Sequence, residues 1–114
     1  MPTLNASDVA GWLRRYLAAV ADQIDGLFLF GSVTRGEPDP GDCDVLVLTP
    51  SDPDSDGRRA LRVRLRAAES DFAAAFGVPL SVLLLGVREY QSLRWFKRKG
   101  REKTLVRIDM HGSV

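Results

Sequence analysis

At 114 residues, 45% of them apolar, the chain is long enough for one hydrophobic core and too short for two, so a single domain over 1–114 is expected. Sixteen Lys and Arg stand against 15 Asp and Glu, a net charge of +1, which excludes a global field for nucleic acid or an anionic membrane. No run reaches the ~20 apolar residues that span a bilayer, residues 1–8 lack the basic and apolar regions of a signal peptide, and Cys43 has no second cysteine to pair with, so a soluble protein of the reducing cytoplasm is expected.

Ser7 is the predicted cap of a first helix, because Val9, Leu13, Tyr16, Leu17 and Val20 recur at helical spacing and predict one apolar stripe over residues 8–23. Leu27 to Phe30 is a short apolar run ended by Gly31, the pattern of a buried strand. Residues 33–41 carry Gly36, Pro38, Pro40 and Gly41 and read as a loop, after which Cys43 to Leu48 predicts a second buried strand. A polar turn over 50–57 follows. Leu61, Leu65, Ala68, Phe72 and Phe76 then keep helical spacing as far as Gly77, a predicted C-cap. Leu80 to Leu85 predicts a third strand, Val87 to about Arg98 a further helix, and Thr104 to Asp109 a short last strand. The alternation of helices and strands predicts an α/β fold with no internal repeat and no linker.

The chemistry concentrates between Phe30 and Leu48. Gly31 removes the side chain where a phosphate would approach the backbone, and Ser32 offers a hydroxyl and an amide at the start of a turn, where unpaired N–H groups favour an anion. Asp42 and Asp44 lie two apart at the start of a strand, so the period-2 alternation puts both carboxylates on one face and Cys43 on the other. Carboxylates so close repel, and a divalent cation shared between them, with a triphosphate, resolves the conflict. Taken alone, Gly31-Ser32 fits an ordinary strand-to-helix turn and the two acids fit a solvated strand end. Together, with Val45-Leu46-Val47-Leu48 following Asp44, they fit a site better.

These residues resemble the polymerase-beta-like nucleotidyltransferases, and among them the minimal, antitoxin-type members. That pattern is an apolar residue and Gly-Ser, a spacer of about ten residues, then Asp-x-Asp in an apolar strand. Here it stands as Phe30-Gly31-Ser32, nine residues, and Asp42-Cys43-Asp44-Val45, with Arg35-Gly36 matching the Arg-Gly common just after Gly-Ser. The resemblance implies a small nucleotidyltransferase fold, α+β in detail, with a central mixed sheet of three to four strands flanked by helices. It implies that Gly31, Ser32 and Arg35 bind the phosphates of a nucleoside triphosphate, ATP foremost, and that Asp42 and Asp44 hold Mg2+, or Mn2+ in its place. The implied reaction moves a nucleoside monophosphate to an acceptor, and a protein partner such as a HEPN-type toxin would supply that acceptor.

The chain departs from the pattern at one position. Active members carry a third carboxylate on the next strand, where this sequence aligns Ser81, and neither Glu89, at a predicted helix start, nor Asp109 is an evident substitute. A hydroxyl brings no charge and is a poor base, so the alternative is a catalytically degenerate fold that acts by binding a protein. The basic stretch at 94–103 reads first as a helix end whose cations complement the dipole, and second as a grip for RNA or an acidic partner. Cys43 is expected to face the core, and self-association into a homo-oligomer is open to so small a core.

Overall fold

The computed structural model describes residues 4–31, 33–34, 36, 41–92 and 105–110. The first helix, α1, runs Ala6–Tyr16 and is capped by Asn5, whose side chain accepts a hydrogen bond from the Asp8 amide at 2.8 Å, rather than by Ser7. Asn5 wins because its carboxamide reaches the third amide on, which leaves Ser7 inside the first turn. The helical stripe predicted over 8–23 is also interrupted. Leu17 closes α1 with ψ near 4°, and Ala18–Gln23 continues as a 3-10 helix with a non-helical Val20. The apolar side chains stay on one side through the change, with Leu17 fully buried and Val20 packed against the core.

Three strands and a long helix follow. Strand β1 is Gly26–Phe30, β2 is Cys43–Thr49, helix α2 is Asp56–Phe76 and β3 is Leu80–Gly86. Helix α2 starts at Ser55, whose side chain accepts from the Arg58 amide, and stops at Gly77 in the left-handed conformation at φ 78°. A short α3, Val87–Ser92, and a two-residue β4, Val106–Arg107, complete the described elements. The predicted helix over 87–98 therefore leaves the described residues beyond Ser92, and the basic stretch at 94–103 lies outside them.

The sheet order is β3-β2-β1-β4. Strands β1 and β2 are antiparallel, as are β1 and β4, whereas β2 and β3 are parallel and joined through α2. Among the described residues the sheet is thus mixed and four-stranded, within the three to four strands expected. Alternation along β2 divides its side chains between two clusters. Cys43, Val45 and Val47 join the main core under α1, the 3-10 segment and α2, while Leu46 and Leu48 meet Phe28, Phe30, Leu83, Leu85 and Tyr90 on the other face. Trp12 ties α1 to α2, stacked on Tyr16 at 4.7 Å between centroids and edge-on to the fully buried Phe72 at 5.4 Å. No described helix is long and apolar enough to cross a membrane.

Candidate functional site

Antiparallel pairing sets Phe30, the last residue of β1, opposite Asp44, and parallel pairing sets Asp44 beside Ser81 on β3. The end of one strand and the starts of two others therefore meet at one pole of the sheet. Gly31 leaves β1 there with φ 81°, and a Cβ built on it would overlap the Asp44 carboxylate, so the two residues pack in direct contact. The glycine is required on two counts: only it adopts this φ without strain, and only it leaves room for the acid.

The loop after Gly31 turns back at once. The Thr34 hydroxyl donates to the Gly31 carbonyl at 2.7 Å, the Gly36 amide donates to the Val33 carbonyl at 3.2 Å, and Val33 is buried as the loop's anchor in the core. Thr34 and Val33 carried no weight in the sequence reading. A hydroxyl residue three positions past a strand-ending glycine is the turn signal that marks Thr34. Ser32 and Arg35, the expected phosphate ligands, lie outside the described residues.

Asp42 and Asp44 are both half-buried, and Cys43 between them is fully buried in the core, as the alternation required. The Cys43 amide donates to the Pro79 carbonyl at 3.0 Å, which locks the start of β2 to the turn before β3. Burial pushes the Cys43 thiol up to about 12, with the negative charges of Asp44 and then Asp42 adding to the effect. It is an inert core side chain rather than a nucleophile.

Ser81 is exposed and occupies the register position beside Asp44, where the resemblance placed a third carboxylate. Among the described residues no group of three or more His, Cys, Asp or Glu gathers where a metal would need it. Glu89 does not supply the missing charge. It accepts from Arg58 at 3.1 Å and from the Gly86 amide at 3.0 Å, beyond the far end of β3. Gly86 is five residues from Ser81, about 17 Å at strand rise. Asp109 follows β4, which runs antiparallel to β1, and lines a small recess with Asp25 and Gly26 at that same far end. Among the described residues the oxygen donors at the near pole are therefore Asp42 and Asp44, with Gly31 opening the backbone beside them. That set suits a divalent cation shared with a phosphate better than a cation held by protein alone.

The chain is similar to known proteins in family and in fold. A family model described as a nucleotidyltransferase domain matches residues 13–111. A crystal structure of a toxin–antitoxin with AMP-PNP is similar, with a TM-score of 0.53 at 19% identity, over 91% of this chain and 73% of that one. A mutant of the toxin–antitoxin MntA-HpeT gives a TM-score of 0.49 at 18% identity, over 87% of this chain and 69% of that one. No curated protein matches the sequence closely enough to stand as a relative. With the family model spanning all but the two ends, and the strand pairing bringing the Gly31 turn onto Asp44, the chain belongs to the nucleotidyltransferase domain family.

Proposed function

We propose that the domain binds a nucleoside triphosphate, ATP foremost, with Mg2+ or Mn2+ at the pole formed by Gly31, Ser32, Asp42 and Asp44, and transfers the nucleoside monophosphate to a hydroxyl of a protein partner. The observation that carries this reading is the contact of Gly31 with the Asp44 carboxylate, which sets a bare backbone turn beside an acid pair. Asp42 and Asp44 would hold the metal, whose chemistry is to neutralise phosphate charge and polarise the α-phosphorus. Gly31 and Ser32 would receive the phosphates on backbone amides, and Arg35 would add charge-assisted hydrogen bonds. In the transfer, the acceptor oxygen bonds to the α-phosphorus, the bond to the pyrophosphate oxygen breaks, and the hydroxyl proton passes to water.

The similarity to toxin–antitoxin structures, one of them with AMP-PNP, supports a nucleotide and a protein partner, and the family resemblance suggests a HEPN-type toxin. The buried lone thiol and the lack of a membrane-spanning helix among the described residues fit a cytoplasmic module. Calorimetric titration with ATP, in Mg2+ and again in EDTA, tests the site, with Asp44→Asn alongside. Binding that needs both Mg2+ and Asp44 is expected, and its absence in every condition would sink the nucleotide reading.

A second reading is favoured by one observation, the exposed Ser81 at the register position beside Asp44. In it the domain keeps the nucleotide but acts by masking its partner. Transfer of label from α-labelled ATP to the co-purified partner separates the two, since masking alone leaves the partner unlabelled.

A further inference from the structure

Helix α2 presents an outward face that the nucleotide site does not use. Val63 is 70% exposed, and with Val20, Ala60 and Ala67 it floors a groove of about 430 Å3 edged by Arg59 and Arg64. A lone exposed valine would mean little. This one sits in the arginine-rich stretch of its helix. Between Gly57 and Ala68 the sequence holds five arginines, at 58, 59, 62, 64 and 66, and no acid. Arg58 is buried against Glu89, Arg64 covers the Tyr16 ring at 4.2 Å, and Arg59 pairs with Asp56 one turn back, so these three serve the fold. Arg62 and Arg66 are exposed on the flank of the helix next to Val63. Arg62 and Arg66 repel at i, i+4, with no acid between Gly57 and Ala68 to offset them.

We propose that this face docks an acidic segment of a protein partner, one that seats apolar side chains on Val63 and carboxylates on Arg62 and Arg66. The apolar floor favours protein over nucleic acid, which has no counterpart for it. The sign of the charge rules out two occupants nearer at hand. The chain's own stretch at 94–103 is basic, and the α2 face of a second copy would repel its twin. Helix α2 begins after β2 ends and returns toward the start of β3, so its first half lies toward the pole opposite Asp44. A partner bound there leaves the proposed nucleotide site open. The inference rests on the proposed function only for the existence of a protein partner.

The test places a photo-crosslinking residue at position 63 of the full chain in its native cells, Val63→p-benzoylphenylalanine, with Asp54→p-benzoylphenylalanine as the control. The expected result is an adduct mapped to an acidic, apolar-containing stretch of a different protein, reduced at least tenfold by Arg62→Glu with Arg66→Glu. ATP titration of the charge-reversed protein should match the parent and its melting should stay cooperative, which shows that its fold and nucleotide site are intact. An adduct to a second copy or to nucleic acid, one indifferent to the charge reversal, or none above the control overturns the proposal. Failure of the parent to bind ATP would instead remove the nucleotide reading and leave the docking face standing.

Discussion

The Asp44 carboxylate occupies the space in which any side chain at position 31 would begin, so the end of β1 and the acid of β2 are fitted to each other. Gly31→Ala therefore meets two penalties: a φ of 81° that costs an L-residue about 1–2 kcal/mol, and displacement of the carboxylate. Urea denaturation should show at least that loss of stability. ATP binding in Mg2+ should fall by more than the stability loss explains, because Asp44 has moved. Unchanged binding in a folded Gly31→Ala protein would separate Gly31 from the site.

Gly77 offers the matched contrast. It too has a positive φ, 78°, but a Cβ there meets nothing within 4 Å. Gly77→Ala is expected to cost about 1 kcal/mol of stability through the backbone alone and to leave ATP affinity unchanged by calorimetry. A tenfold loss of affinity would show that the α2 to β3 turn contributes to the pole.

Glu89 links α3 to α2. The Gly86 amide, first, and then the Arg58 guanidinium hold its carboxyl below the usual carboxylate range. Because the folded-state value is depressed, the stabilisation is present above the ordinary carboxylate range and is lost as pH falls through the depressed value. Glu89→Gln should melt lower than the parent at neutral pH, with the gap closing in acid, below the ordinary carboxylate range, as the parent's own carboxylate protonates. A gap that persists in acid would mean that shape, not charge, sets the effect. The side chain is half-exposed, so solvent keeps the gap small.

How far this architecture could be read from the chain alone depends on the range of the interactions. Local signals sufficed for β1, β2, β3 and α2, where runs of apolar residues are punctuated by Gly31 and Gly77, and the spacing of Asp42 and Asp44 about Cys43 set which side chain entered the core. The alignment of Ser81 with Asp44 was legible because parallel strands joined by one helix keep a simple register. Other features depended on distant partners. Arg58 pairs with Glu89 31 residues away, the Tyr16 hydroxyl donates to Asp71, and Asp44 meets Gly31 through strand pairing. The break near Leu17 was illegible because the apolar period runs on through it while the backbone tightens to a 3-10 turn.

Phe72 anchors the contact between α1 and α2, with no exposure and with Trp12 edge-on to its ring. Phe72→Ala leaves a cavity under that ring and is expected to cost about 3–5 kcal/mol, a large share of the roughly 5–15 kcal/mol that a domain of this size holds. Chemical denaturation reads the loss. A cost below about 1.5 kcal/mol would mean that the helices repack, as volume-tolerant cores do.

Ser81→Asp restores a carboxylate at the register position beside Asp44. Without metal, a third negative charge next to Asp42 and Asp44 adds repulsion, so the variant should melt below the parent in EDTA. A divalent cation bound by three carboxylates instead of two is held more tightly, and a ligand that binds the folded state stabilises it by the logarithm of one plus its concentration over its dissociation constant. The rise in melting temperature on adding Mg2+ should therefore be larger for the variant than for the parent, whatever either does catalytically. Position 81 is exposed, so the substitution disturbs no core packing and the comparison stays clean. If label transfer to the partner also rises, the parent lies one residue from full competence. If Mg2+ protects both proteins equally, the side chain at 81 does not reach the metal.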